Sequence, residues 1–288
     1  MMRSIYTGRS GIKNHQTRMD VVGNNISNVN TVGFKSGRAT FADMLSQTIK
    51  GATAANGTVG GTNPKQIGLG VGLGSVDTIF TNGAPITTDK NTDLCLSGDG
   101  LFVVKKNNET FYTRNGAFSF DAEGNYVMPG SGHIVQGWMA NNGVIDTTGA
   151  VEDIKVTIGK PLAEATDGDA GAILTDVQID SSGIVTGIYS NGVRRQEAQV
   201  AIAHFNNPAG LFKTGTSLYK ESANSGDPLL IKAGEFDVSI MTGALEMSNV
   251  NIANEFSDMI ITQRGFQSNS KLITVGDEML ETAINMKR

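Results

Sequence analysis

The sequence predicts a mixed α and β fold, in which N- and C-terminal helices pair as an inner, coiled-coil-like domain and a central antiparallel β-rich domain joins them. A seven-residue apolar repeat near the C-terminus, spacings of three and four near the N-terminus, and alternation between them indicate these elements. We expect the N-terminal helix within residues 1–50, a connector at 51–74, the β-rich domain at 75–240 and the C-terminal helix at 241–288.

The C-terminal segment carries the clearest helical pattern. Apolar residues recur every seven positions, at Leu245, Ile252, Met259, Phe266, Ile273 and Leu280. The pattern predicts a helix of roughly 35 residues, about 50 Å long. Second positions of the same stripe are small or polar, at Ser248, Glu255, Thr262, Asn269, Gly276 and Ala283. Such residues favour close packing against several neighbouring helices over a two-stranded zipper, and an amphipathic helix on a globular core is the alternative.

The N-terminal segment also has one apolar face. Spacings of three and four align Ile5, Gly8, Ile12, His15, Met19, Val22, Ile26 and Val29. Gly8 and His15 are the weak positions of this face.

The middle of the chain has the period of two that is typical of strands. Candidate strands are Ser75–Phe80, Leu101–Lys105, Ile154–Ile158, Val177–Ile179 and Val200–Phe205. Turn sequences separate them, at Asp121–Gly124, Asp146–Gly149 and Asp180–Gly183, with hairpin candidates at Asn82-Gly83 and Asn191-Gly192. The stretch Lys50–Gly74 is low in charge and rich in glycine, which predicts a loosely ordered connector, and Leu162–Gly171 is a second soft stretch.

Composition argues against several kinds of partner. Charged residues make up 18% of the chain and the formal net charge is −5, so we expect neither nucleic-acid binding nor attraction to an anionic membrane. The single cysteine, Cys95, excludes an intramolecular disulfide. No apolar run predicts membrane insertion or a cleaved signal peptide, so we expect a cytosolic protein or export that leaves the N-terminus uncut.

No arrangement of residues predicts catalysis, a cofactor or a metal. The glycine alternation at 68–74 lacks the third glycine of a dinucleotide fingerprint and the lysine of a phosphate loop. His15, His133 and His204 are scattered, without the spacing of metal ligands. Cys95 stands between two leucines, which predicts a buried, inert thiol. We therefore expect no enzyme and no cofactor.

Both ends of the chain carry motifs that resemble those of a known family. Residues Met19–Lys35, MDVVGNNISNVNTVGFK, resemble the N-terminal signature of the bacterial flagellar rod and hook proteins. Leu245–Val250, Gln263–Lys271, Asp277–Leu280 and Asn285–Arg288 resemble the C-terminal signature of that family. The resemblance continues inward through Thr92–Leu94 and Ser97–Phe102, so it covers most of the chain.

The resemblance implies a structural subunit of the flagellar hook, which polymerises into a flexible helical tube and transmits torque from rod to filament. The distal rod protein of the basal body is the alternative within the family, and a secreted β-rich adhesive protein with oligomerising ends is the alternative outside it. Features closer to hook than to rod proteins are Gln136–Met139, Phe205–Leu211 and Arg264–Gln267. Longer hook proteins carry a further outer β domain, which we expect to be absent or vestigial here.

The resemblance also implies partners and a location. The partners would be further copies of the chain, the distal rod protein, a hook cap, the hook–filament junction protein and the flagellar export apparatus. The location would be the hook and basal body, outside the cell after export by the flagellar secretion system.

Self-assembly contacts are expected from the helical ends. The candidate residues are Ile5, Ile12, Met19, Val22, Asn24, Asn25, Ile26, Asn28, Asn30, Gly33, Phe34, Leu245, Ile252, Phe256, Met259, Gln263, Arg264, Phe266, Asn269, Ile273 and Leu280.

Overall fold

A computed structural model describes residues 2–55, 60–141, 143–147, 149–157, 159 and 172–286. Two long helices and a central antiparallel β body confirm the predicted fold class. The chain divides into two compact units. The helical unit comprises Met1–Ser27, Gly37–Ile79 and Val250–Arg288, and the β unit comprises Asn28–Ser36 and Phe80–Asn249.

The helical unit contains helices α1 (Met2–Ser27) and α2 (Ile252–Asn285). The Asn251 side chain caps α2 by accepting hydrogen bonds from the backbone N–H groups of Ala253 and Asn254. Because of this cap, helix α2 begins later than the seven-residue repeat predicted. Leu245, the first position of the seven-residue repeat, lies in a strand before the cap and not in the helix.

Helix α1 ends at Ser27, well before the predicted limit at residue 50. The run that follows is rich in asparagine and β-branched residues, which have weak helix propensity. Val29, expected on the helical face, therefore lies beyond the helix.

The described residues of the helical unit also form four strands: β1 (Gly37–Asp43), β2 (Ser46–Lys50), β3 (Lys65–Gly68) and β4 (Val71–Thr78). Strand β1 pairs antiparallel with β4, and β2 pairs antiparallel with β3. The stretch 51–74, expected to be a loose connector, thus contains β3 and the start of β4. Apolar residues alternate with glycine at the start of β4, and this period of two favours a strand. The low charge of the segment, which suggested a loose connector, does not prevent strand formation.

The β unit holds the remaining strands and one short 3₁₀ helix, Pro208–Gly210. The strands are β5 (Pro85–Thr87), β6 (Leu94–Ser97), β7 (Leu101–Lys106), β8 (Glu109–Thr113), β9 (Ser119–Phe120), β10 (Tyr126–Met128), β11 (His133–Asn141), β12 (Val144–Ile145), β13 (Glu152–Asp153), β14 (Leu174–Ile179), β15 (Ile184–Tyr189), β16 (Arg194–Val200), β17 (Ile202–His204), β18 (Phe212–Gly215), β19 (Leu218–Lys220), β20 (Leu229–Ile231), β21 (Ser239–Thr242) and β22 (Ala244–Glu246).

One antiparallel sheet organises the β unit, in the order β14-β15-β16-β11-β7-β8-β19-β18. Strands β17 and β20 extend it beside β7, while β21 pairs with β6 and β22 with β5. The larger core cluster includes Phe102, Phe118, Tyr126 and Val200, and Trp138 belongs to a second cluster. Cys95 is buried, as predicted.

Several predicted turns are present. Gly124, Gly183 and Gly192 adopt φ of +85°, +70° and +83°, the left-handed region that their turns require. Asn82-Gly83 does not form the predicted hairpin, because the Gly83 N–H instead donates to the Glu246 carboxylate at 2.7 Å. The soft stretch Leu162–Gly171, residue 148 of the Asp146–Gly149 turn and residue 158 of the strand predicted at 154–158 lie outside the described residues.

Candidate assembly site

The two helices of the helical unit run antiparallel. Ile5 of α1 lies beside Gly276 of α2, where an added Cβ would stand 3.1 Å from the Ile5 Cγ1 atom. At the other end, Asn25 Nδ2 donates to Glu255 Oε1 at 3.1 Å. The pairing therefore extends along nearly the whole of α1.

Glycines let the helices approach closely between these ends. A Cβ at Gly11 would lie 2.7 Å from Asn269 Nδ2, and a Cβ at Gly265 would lie 2.5 Å from His15 Cε1. Neither distance is tolerated, so each glycine makes room for a polar side chain of the opposite helix. The second-position residue Thr262 is fully buried in the same region.

Polar contacts fix the alignment of the helices. Arg18 Nη2 of α1 lies 3.1 Å from Asp258 Oδ1 of α2. Within α2, Asn269 Nδ2 donates to the Gly265 carbonyl at 3.0 Å, which holds the amide that packs against Gly11. Asn25 also accepts from Gly37 N–H at 2.9 Å and donates to the Gly37 carbonyl at 2.8 Å. A single buried amide thus joins the end of α1 to the start of β1 and to α2.

The predicted assembly residues differ in their burial and in their contacts with the opposite helix. Ile5, Asn25, Asn269 and Ile273 contact the opposite helix. Val22 is buried, while the half-buried members are Ile12, Met19, Ile26, Met259, Phe266 and Leu280. The exposed members on the helices are Asn24, Ile252, Phe256, Gln263 and Arg264.

Five predicted residues lie outside both helices, in the β unit: Asn28, Asn30, Gly33, Phe34 and Leu245. Expecting them to be helical was wrong, because α1 ends at Ser27 and Leu245 pairs with Ile86 in strand β22. Gly33 has φ of +65°, which a helix does not allow.

The pairing leaves much of α2 uncovered. Ile261, Leu272, Val275 and Met279 are exposed and share one side of the helix, given its period of 3.6 residues. Phe256 and Ile260 are exposed on another side. Small second positions such as Thr262 and Gly276 are buried, and Gly276 lies against α1. The large apolar side chains on the other sides of α2 are therefore available to contact further helices.

The β unit contains a buried charge cluster that the sequence patterns did not reveal. Lys35 Nζ lies 2.7 Å from Glu246 Oε1, and Arg114 Nε lies 2.5 Å from Glu246 Oε2. The three side chains are 1%, 1% and 3% exposed for Lys35, Glu246 and Arg114. Burial lowers the pKa of Lys35, and the Glu246 charge opposes that shift.

Further hydrogen bonds satisfy this cluster. The Arg114 guanidinium also donates to the carbonyls of Leu96, Gly98 and Gly100 and to Asn82 Oδ1. Lys35 Nζ donates to the Thr81 carbonyl at 2.6 Å. Lys35 closes the N-terminal motif and Glu246 belongs to the C-terminal one, so the cluster joins the two motifs across 211 residues of sequence.

Among the residues that the structure describes, no group of three or more histidine, cysteine, aspartate or glutamate side chains could hold a metal ion. Neither described helix combines the length and the apolar character needed to cross a membrane.

Comparisons with known proteins agree with the chain-end motifs. Residues 5–35 match the family described as flagella basal body rod protein, residues 95–187 the flagellar hook protein FlgE/F/G D1 domain, and residues 241–286 the flagellar basal body rod FlgEFG protein C-terminal family.

Whole-chain relatives come from several bacteria. The chain is 33% identical to a flagellar hook protein FlgE of Borreliella burgdorferi and 43% identical to a flagellar basal-body rod protein FlgG of Bacillus subtilis. It is 30% identical to a flagellar hook protein FlgE of Treponema pallidum. Each comparison covers 100% of both chains.

The paired terminal helices and the antiparallel β unit, together with these matches, define an axial structural protein of the bacterial flagellum. The chain belongs to the flagellar hook and rod protein family.

A substitution of Gly11 tests the close approach of the helices. Gly11→Ala should destabilise the pair by about 1 kcal/mol, because the new Cβ displaces the Asn269 amide and breaks its bond to Gly265. Gly23→Ala is the control, since no atom lies within 4 Å of its added Cβ and alanine favours helix by about 0.5–1 kcal/mol. The thermal midpoint, followed by the helical circular dichroism signal, should fall for Gly11→Ala and rise for Gly23→Ala. Equal shifts of the midpoint would refute the packing role of Gly11.

The charge cluster should be essential to the β unit. Glu246→Gln leaves Lys35 and Arg114 buried without their carboxylate, and we expect a loss of about 3–5 kcal/mol. Glu109→Gln removes an exposed pair with Lys220 and should cost about 0–1 kcal/mol. Denaturant unfolding followed by fluorescence of Trp138, the single tryptophan, reports on the β unit. A loss for Glu246→Gln no larger than that of the control would contradict this role.

His15 should make the helical unit sensitive to acid. Burial, and secondarily the Arg18 charge, lower the pKa of His15, and its Nδ1 has no hydrogen-bond partner among the described residues. The unfolded chain then binds the proton more readily, so stability is complete above pH ~6.5 and declines as the pH falls below it. Thermal melts at pH 7.5 and 5.5 should differ less for His15→Phe than for the unchanged chain. An equal pH dependence in both would exclude His15 as the cause.

Proposed function

We propose that this chain is the structural subunit of the bacterial flagellar hook, which polymerises into a flexible helical tube and transmits torque from rod to filament. The observation that carries the proposal is the uncovered apolar surface on two sides of α2, on a helix already paired with α1. Burying such side chains between neighbouring subunits would contribute roughly 1.5–3 kcal/mol each. The family membership agrees with an assembling structural protein.

A flexible tube needs some contacts that persist while others slide. The contacts between α1 and α2 are suited to persist, because side chains of one helix pack directly against glycines of the other. Contacts between β units would be weaker and would rearrange as the tube bends. Head-to-tail contacts that do not close into a ring extend without limit, as a helical polymer requires.

The hook assignment rests on the sequence features at Gln136–Met139, Phe205–Leu211 and Arg264–Gln267. The distal rod protein is the second candidate, and the Bacillus subtilis relative favours it, since the alignment with that rod protein spans 293 positions, close to the 288 residues of this chain. The Borreliella burgdorferi hook alignment spans 444 positions, so that relative carries inserted segments that this chain lacks. Membership of the family leaves the adhesive alternative without support.

The proposed role implies a set of partners and a place. Further copies of the chain would form the tube, the distal rod protein would lie below it, and a hook cap and the hook–filament junction protein would lie above. The flagellar export apparatus would deliver the chain to that place. We infer a purely structural role without catalysis.

Electron microscopy of the full-length chain and of residues 28–249 tests this function. The shorter chain lacks α1 and α2 but keeps Lys35, Arg114 and Glu246, so its β unit retains the buried cluster. We expect tubes from the full chain and monomers from the shorter one.

The shape of the tubes separates the two candidates. Curved, flexible tubes support the hook, whereas straight, stiff tubes support the distal rod. Discrete particles from the full-length chain, under conditions that favour assembly, would overturn the proposal.

A further inference from the structure

A strained turn exposes an aromatic residue on the β unit. Phe236 and Asp237 have φ of +52° and +56°, in the left-handed region that disfavours a bulky residue such as phenylalanine. Bonds from Gly234 N–H to the Val238 carbonyl at 2.7 Å and from Val238 N–H to the Glu235 carbonyl at 3.0 Å close the turn. The Phe236 side chain is 61% exposed, so packing in the core does not explain its presence there.

Phe236 stacks on His204, with ring centroids 5.2 Å apart and an interplanar angle of 13°. The His204 Nδ1 atom lies 3.0 Å from the Asp99 carbonyl, which fixes the imidazole. His204 also lines a narrow pocket together with Leu101, Phe205 and Pro208. A rigid pair of rings beside an apolar pocket has the composition of an anchor point in a protein interface.

The exposed charges of this surface that lack an ion pair are acidic, since Arg114, which also lines the pocket, is buried and paired with Glu246. Asp99 and Asp237 are exposed, and neither forms an ion pair within the described part of the chain. Glu235 is occupied by Lys232 at 3.7 Å. The surface therefore favours an occupant that is both apolar and basic.

The β2–β3 ribbon, residues 44–50 and 65–69, has this character. Every residue of β2 and β3 is exposed, and Leu45 beside them is 86% exposed. Lys50 and Lys65 are paired across the ribbon, and residues 44–69 contain no aspartate or glutamate. A two-stranded ribbon is only marginally stable alone, which favours a cover for its aliphatic side chains.

We propose that Phe236, His204 and the adjoining pocket form a docking surface that receives the β2–β3 ribbon of a second copy of this chain. The proposal rests on the proposed function in one respect, that copies associate head to tail. Phe236 supplies the anchor, and Asp237 and Asp99 attract the two lysines. The backbone strain at Phe236 is retained because it holds the ring out of the surface.

Phe236→Gly in the full-length chain separates a docking role from a structural one. Glycine accepts positive φ, so the thermal midpoint of the β unit should stay level or rise, while the concentration needed for association rises about tenfold. Asn108→Gly is the matched control, since Asn108 has φ of +68° at another turn. It should relieve strain without changing association. Unchanged association of Phe236→Gly would overturn the proposal.

Zero-length carbodiimide coupling tests the occupant. An equal mixture of ¹⁵N-labelled and unlabelled full-length chains should give a mixed-isotope cross-link between Lys50 or Lys65 and Asp99 or Asp237. Other intermolecular cross-links without this one would overturn the docking surface even where tubes form. The cross-link in a discrete oligomer would support the docking surface while refuting the hook assignment, so the two failures are distinguishable.

Discussion

Gly11 and Gly265 place no side chain between the backbones of α1 and α2, and the Asn269 amide and the His15 ring occupy the space. This close antiparallel contact brings the two ends of the chain together. Strands β1 and β4 attach to the same helix, since Asn25 of α1 bonds Gly37 and Asn14 of α1 bonds the Val71 carbonyl. A side chain at either glycine would force the Asn269 amide or the His15 ring to move.

The β unit has its own constraint in the Lys35–Glu246–Arg114 cluster. Buried charges are costly to desolvate, and replacing such a cluster with apolar residues is often neutral or favourable for stability. We expect its value to be specificity, since Lys35, Arg114 and the Gly83 N–H all donate to the Glu246 carboxylate and only the native arrangement brings the three donors together. The cluster thus fixes where the chain enters and leaves the β unit, immediately beside the ends of α1 and α2 in sequence.

The sequence predicted the fold class and both helices because their apolar periods extend over many residues. It also identified the small positions of α2 that face α1, such as Thr262 and Gly276. It misplaced Leu245, since a repeat of seven continues through a strand as readily as through a helix until a cap such as Asn251 is recognised. It missed the charge cluster because no local pattern pairs Lys35 with a glutamate 211 residues away.

A hook relative and a rod relative both align with this chain over its whole length. The features that separate a bending tube from a stiff one would therefore act on the same pair of terminal helices. The helix pair is a poor place for such a difference, because Gly11 and Gly265 pack directly against side chains of the opposite helix, which a substitution would displace. Contacts such as the one proposed between the β2–β3 ribbon and Phe236 are better suited. They join charged and aromatic groups near the surface, where side chains can exchange partners at low cost as neighbouring subunits shift. In the proposed hook, flexibility would then depend on how many such contacts persist through each rotation.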